Sequence, residues 1–140
     1  MTKGEVKKFL SRAFYIRREE KRLEMKIAEL RSLRERVTPS YSLAAGGGSG
    51  DRLTDLTAKI IELEQEQHDK MISYLVAYRE IEKAIMVVED TDIRLASIMR
   101  MKYLDDMSWE AVAADMGFSW RHIHRMKDRA IKIIQKSLIK

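Results

Sequence analysis

Residues 105–140 have the sequence DDMSWEAVAADMGFSWRHIHRMKDRAIKIIQKSLIK, and this stretch decides the fold. It starts with a short segment in which apolar residues recur at the spacing of a helix, and a single glycine follows. It ends in a longer segment whose first turns are rich in Arg and His. A short helix, a tight turn and a basic second helix are the parts of a helix-turn-helix, the arrangement that places a helix against duplex DNA.

Two serines and one glycine mark the helix ends within this stretch. Ser108 is a good N-cap for a helix over 109–116, and Ser119 is a good N-cap for the helix that follows. Gly117 can adopt the positive φ that closes a helix. Another helix is predicted just upstream, from residue 91 or 92 to residue 104. Together these segments predict a three-helix module over residues 91–140.

Apolar residues at helical spacing predict the inward faces of the three helices. The first helix is expected to bury Ile93, Ala96, Ile98, Met99 and Tyr103. The second is expected to bury Val112, Ala113 and Met116. The inward residues of the third are predicted to be Ile123, Met126, Ala130, Ile133 or Ile134, and Leu138.

The opposite side of the last helix offers the candidate binding residues. A recognition helix presents its N-terminal residues to base edges in the major groove, and Arg is suited to bidentate contact with guanine. We therefore expect Trp120, Arg121 and Arg125 to contact bases, although packing explains Trp120 equally well. Phosphate contacts orient a protein without reading sequence. They are expected from Ser108, Ser119, His122, His124, Lys127 and Arg129.

Two longer segments precede the module and predict an antiparallel helical hairpin over residues 1–90. Apolar residues recur at three- and four-residue steps over about 3–37 and again over about 51–89. Between them, TPSYSLAAGGGSG (38–50) holds the sole proline and four glycines, which predicts a flexible linker. Residues 2–36 hold 12 basic and 6 acidic side chains, whereas residues 51–92 hold 5 and 11. Opposite charge favours pairing of the two helices.

A polar interruption at Gln67 and Lys70 divides the apolar seam of the second long helix, which is close to a coiled-coil heptad pattern. It either sets the register in which the helices pair or marks a hydrated spot, and we expect the hydrated spot. The hairpin can close within one chain or be exchanged between two chains. A homo-oligomer formed through the hairpin is therefore one expectation.

Composition narrows the classes of function. The net charge of +5 favours a polyanionic partner, and the absence of cysteine excludes disulfides and thiolate metal sites. His122 and His124 are two residues apart, so they diverge on a helix and cannot chelate zinc together. We expect no enzyme, no cofactor and no metal. No apolar run approaches the roughly 18 residues of a membrane span, so we expect a cytoplasmic protein with no membrane partner.

Residues 100–138, RMKYLDDMSWEAVAADMGFSWRHIHRMKDRAIKIIQKSL, resemble the fourth region of bacterial sigma factors. The whole chain resembles small phage and prophage transcriptional regulators of the ArpU and RinA type. Its likeness is closer still to a phage family with a basic N-terminal helix, the linker TPSYS…GGGSGDRL, an acidic helix and this module. The linker and the core SWEAVAADMGFS are the most specific parts of the resemblance.

The resemblance implies a double-stranded DNA partner. It places Trp120, Arg121 and Arg125 at base-facing positions, and His122 and His124 at backbone-contacting positions. Sigma factors often have Arg and Glu where this chain has Trp120 and Arg121, so promoter specificity does not carry over. The chain also lacks the sigma regions that melt DNA, which indicates a regulator and not a complete sigma factor.

These observations predict a phage-type, sequence-specific DNA-binding transcriptional regulator that activates late or packaging genes in the bacterial host cell. Host RNA polymerase is a further expected partner. The alternative is a helical packaging protein resembling a small terminase subunit, in which the hairpin oligomerises and the basic helices grip DNA of any sequence. A third hypothesis is an inhibitor that binds host polymerase without touching DNA. A purely structural interpretation is that the basic helix is only the solvated surface of a helical bundle.

Overall fold

A computed structural model describes residues 1–43 and 48–139, with side chains described outside 38–49 and residue 139. Five helices occupy these residues: α1 (Lys3–Leu43), α2 (Gly48–Thr91), α3 (Ile93–Tyr103), α4 (Trp109–Met116) and α5 (Trp120–Ile139). The described part of the chain contains no strand. The predicted all-α fold, a long helical hairpin followed by a three-helix module, is confirmed. Within the described ranges, no helix has the length and apolar character needed to cross a membrane.

The two long helices extend further than predicted at the ends that face the linker. The sequence predicted helices over about 3–37 and 51–89, but α1 continues through Pro39 to Leu43 and α2 starts at Gly48. The linker prediction was therefore wrong for 38–43 and 48–50. A proline removes one helical N–H donor, but this local penalty of about 3 kcal/mol does not by itself end a long helix. The rest of the predicted linker, 44–47, lies outside the described residues.

The chain forms two compact units. Unit 1 comprises Met1–Tyr15 and Tyr74–Lys140, and unit 2 comprises Ile16–Ser73. These limits differ from the sequence-based boundary between residues 90 and 91. The first turns of α1 and the last turns of α2 belong to the same unit as α3, α4 and α5. Burial gives the physical reason, since Leu10 of α1 and Ile81 and Ile85 of α2 are fully buried.

Within unit 2, the stretches of α1 and α2 pair antiparallel. Arg31 forms an ion pair with Glu64 at 3.1 Å, and Lys70 forms one with Glu19. Higher numbers on α1 thus meet lower numbers on α2, and the charges of the two helices attract as predicted. A small apolar cluster lies between the helices and is made of Leu23, Ile27, Ile60 and Leu63, with Leu30 packed against it.

At the polar interruption of the apolar seam, Gln67 and Lys70 of α2 contact side chains of α1 directly. Gln67 Nε2 donates a hydrogen bond to Glu20 Oε1 at 2.9 Å, and Glu20 is buried. A buried carboxylate is costly unless a donor satisfies it, so Glu20 has to lie opposite Gln67. This pairing supports the interpretation that the interruption sets the register.

The core of unit 1 is built from all five helices, and α3, α4 and α5 pack against one another. Three core predictions were wrong, because Ile93 is 64% exposed, Leu138 is 42% exposed and Met116 is only half-buried. Ile93 is the first residue of α3 and Leu138 lies in the last turn of α5, where fewer neighbours cover a side chain. Leu95 and Ile131 are fully buried although the sequence did not predict them. Since α5 packs against both α3 and α4, its buried side is wider than a single apolar stripe.

Candidate nucleic-acid interface

Side-chain caps fix where the three helices of the module begin. The carboxylate of Asp92 accepts the backbone N–H of Arg94 at 2.9 Å at the start of α3. Ser108 Oγ accepts the N–H of Ala111 at 3.1 Å at the start of α4. Ser119 Oγ accepts a backbone N–H in the same way at the start of α5, at 3.2 Å. The caps predicted at Ser108 and Ser119 are confirmed, and each satisfies a donor that the helix itself leaves open.

The turn between α4 and α5 has the hydrogen bonding of a Schellman motif. Gly117 lies in the left-handed region, with φ 71° and ψ 29°. Its N–H donates to the carbonyl of Ala114 at 3.3 Å, and the N–H of Phe118 donates to the carbonyl of Ala113 at 2.9 Å. The predicted positive φ at Gly117 is confirmed. The turn sets the direction in which α5 leaves α4, and with it the direction of the basic side chains.

The side of α5 away from the core exposes the two arginines expected to contact bases. Arg121 and Arg125 are both exposed and lie one turn apart, while Ile123 between them is fully buried. Lys132 continues the same exposed side two turns further on. Trp120 is 51% exposed, and its ring meets the ring of the half-buried His124 edge-on at 4.2 Å. Trp120 therefore packs against its own helix and still presents half of its surface to solvent.

Helix α5 carries an excess of positive charge. The helix holds six Lys and Arg residues against one acidic residue, Asp128. Among the ion pairs between described side chains, none includes a residue of α5. Exposed cations that form no ion pair with a described carboxylate are available to a polyanion.

The remaining candidate residues lie around this side in different settings. The exposed His122 packs edge-on against Phe118, with ring centroids 4.7 Å apart. Arg129 is exposed, and its charge is one of the influences that hold the pKa of Asp92 below its ordinary value, after the backbone hydrogen bond from Arg94. No group of three His, Asp or Glu side chains suited to a metal ion occurs among the residues that the structure describes.

Lys127 lies apart from the two arginines and faces Trp109 at the start of α4. Its Nζ is 5.8 Å from the Trp109 ring centroid, and Lys102 Nζ of α3 is 5.7 Å from the same centroid. Burial lowers the pKa of Lys127, and the nearby charges of Lys7 and Lys102 lower it further. The sequence did not predict Lys7 or Lys102 as site residues. They belong to helices far from α5 in sequence, and no local spacing links them to it.

Comparison with known families shows a match over most of the chain. The model of the family described as "Protein of unknown function (DUF1492)" matches residues 39–135, which include α3, α4 and most of α5. No curated protein and no solved structure matches the chain.

Proposed function

The chain belongs to the DUF1492 family, and we propose that it is a sequence-specific DNA-binding protein whose helix α5 lies in the major groove of duplex DNA. One observation carries this proposal. Arg121 and Arg125 are exposed on the N-terminal half of a helix that follows a Schellman turn, and no carboxylate of the described residues pairs with them. This is the position from which a recognition helix contacts base edges.

The dimensions of helix and groove support this assignment. An α-helix with its side chains is roughly 10–12 Å across, and the major groove is about 12 Å wide. Arg121 and Arg125 are separated by four residues, or about 6 Å along the helix axis. Successive base pairs are about 3.4 Å apart, so the two guanidinium groups match positions about two base pairs apart. We expect guanines at those positions, since Arg binds the O6 and N7 atoms of guanine with two hydrogen bonds.

The proposed biological role is transcriptional regulation in a phage or prophage. Its support is the resemblance of residues 100–138 to the fourth region of sigma factors, together with the likeness of the whole chain to ArpU- and RinA-type regulators. That resemblance favours activation of late or packaging genes and contact with host RNA polymerase in the cytoplasm of the bacterial host. The hairpin formed by α1 and α2 is the part of the chain proposed to mediate contact with polymerase or with a second copy.

The test is selection of bound duplexes from a randomised pool by the full chain, followed by affinity measurements on the selected and on random sequences. We expect a preferred sequence with guanines about two base pairs apart. Arg121→Ala and Arg125→Ala should each weaken binding to the selected duplex by about 1–3 kcal/mol and relax the preference at one position. Arg52→Ala is the matched control. It removes an exposed arginine in the same way, but from unit 2.

Two outcomes would contradict the proposal. Equal affinity for selected and random duplexes would show a grip without sequence preference, as in the packaging alternative. Arg121→Ala and Arg125→Ala variants that bind as tightly as the Arg52→Ala control would show that the exposed side of α5 does not enter the groove.

A further inference from the structure

We propose that Lys7, Lys102 and Lys127 form a second contact surface that binds backbone phosphates of the DNA beside the groove occupied by α5. This lysine surface rests on the proposed function, because its ligand is the same duplex. It extends the interface beyond the helix-turn-helix onto α3 and onto the first turns of α1.

The arrangement around Trp109 is the first support for the lysine surface. The ammonium groups of Lys102 and Lys127 lie 5.7 and 5.8 Å from the centre of one indole ring, within the range of cation–π contact. The two lysines come from different helices, α3 and α5, and both are half-buried. The ring thus contacts two positively charged side chains at the boundary between core and solvent.

The second support is an excess of positive charge: the three lysines are accompanied by Asp128 beside Lys127 and by Asp106, which lines a pocket with Lys102. Lys7 is close enough to Lys127 to lower its pKa, and Lys102 acts in the same direction, so both like charges lie near Lys127. Asp128 raises the pKa of Lys127, and its effect is smaller than that of Lys7 and larger than that of Lys102. Among the ion pairs between described side chains, none includes any of the three lysines. Like charges held together repel, and an anion bound between them would relieve that repulsion.

The third support is continuity with the side of α5 that faces the groove. Trp120, His124 and Lys127 are spaced i, i+4 and i+7, so they form one row along α5, roughly 10 Å from first to last. Trp120 at one end adjoins Arg121, and Lys127 at the other end adjoins Trp109 and Lys102. A duplex contacted by Arg121 would therefore have a phosphate backbone near the lysine surface. Lysine, a compact and strongly hydrated point charge, suits such sequence-independent contact.

The experiment measures the affinity of the full chain for a random-sequence duplex across a range of salt concentrations. Each phosphate contact adds close to one unit to the slope of log affinity against log salt. Lys7→Gln and Lys102→Gln should each reduce this slope by about one, and should weaken binding by the same factor on selected and random duplexes. Lys7→Arg and Lys102→Arg, which keep the charge, should retain the wild-type slope.

Lys8→Gln is the matched control. Lys8 is exposed and follows Lys7 on α1, but it is not among the charges that act on Lys127. We expect this variant to keep the wild-type slope. Wild-type slopes for the Lys7→Gln and Lys102→Gln variants would overturn the lysine surface while leaving the function of α5 intact. If the wild-type chain binds no duplex even at low salt, both the lysine surface and the proposed function fail.

Discussion

Replacing Gly117 with alanine is expected to destabilise unit 1 by roughly 1 kcal/mol, because the backbone conformation at this position is unfavourable for alanine. Gly117 has φ +71°, and a Cβ added there would meet no atom within 4 Å. The substitution therefore causes no clash, and only the left-handed conformation opposes it. That conformation costs an L-residue about 1–2 kcal/mol. Alanine also restricts the unfolded chain, which offsets about 0.4–1 kcal/mol of this cost.

Gly4→Ala is the matched control for this prediction. Gly4 lies in the first turn of α1, and an added Cβ would make ordinary contact with Thr2 Oγ1 at 3.8 Å. Its φ is not in the left-handed region, since Gly117 is the only glycine among the described residues with a positive φ. The same chemical change should therefore be neutral or stabilise by up to about 1 kcal/mol at this position. Gly117→Ala is therefore expected to be the less stable of the two variants.

Urea unfolding followed by tryptophan fluorescence measures both variants. The two tryptophans, Trp109 and Trp120, lie in unit 1 together with both glycines, so the signal reports on the unit that is changed. A loss of 1 kcal/mol lowers the midpoint by about 0.5 M urea for a typical slope of 2 kcal/mol per M. A Gly117→Ala variant as stable as the wild type, beside a Gly4→Ala variant that is not destabilised, would refute the Schellman turn at Gly117.

Two further predictions concern stability. Burial raises the pKa of Tyr103 to about 12. The unfolded chain ionises this phenol near pH 10, whereas the folded chain keeps it neutral. The free energy of unfolding should therefore fall between pH 10 and 12. Tyr103→Phe should remove this loss of stability. In an absorbance titration, the variant should lack the phenolate that forms at the highest pH in the wild type. A titration curve identical to that of the wild type would contradict the buried position of Tyr103. In unit 2, Glu20→Leu should destabilise by about 1–2 kcal/mol, because Gln67 loses its acceptor. Adding Gln67→Leu should recover at least that amount in urea unfolding, and strictly additive effects would show that the two side chains do not interact.

The module could be predicted from the sequence almost to the residue, because its signals are local. Ser108 and Ser119 cap the helices that follow them, and Gly117 supplies a conformation that other residues rarely adopt. A cap or a turn involves atoms within a few residues of each other, so the order of residue types is enough to identify it.

The extent of the core and of the interface could not be predicted, because both depend on contacts between distant parts of the chain. Leu10 is buried in the same unit as α3, α4 and α5. The spacing of apolar residues within α1 does not indicate this, because it depends on the fold. Lys7 and Lys102 lie near Lys127 only after α1, α3 and α5 have packed together. The exposure of Ile93 has the same origin, since a periodic pattern does not reveal which end of a short helix its neighbours leave uncovered.

The measurement closest to the central claim is methylation interference on a duplex selected by the full chain. Methylation of guanine N7 blocks the acceptor that Arg contacts in the major groove, whereas a ligand bound in the minor groove leaves that atom free. We predict that N7 methylation of guanines in the selected site prevents binding, and that Arg121→Ala or Arg125→Ala removes this sensitivity at one guanine each. Binding that tolerates N7 methylation at every guanine and is lost to a minor-groove competitor would contradict the placement of α5 in the major groove.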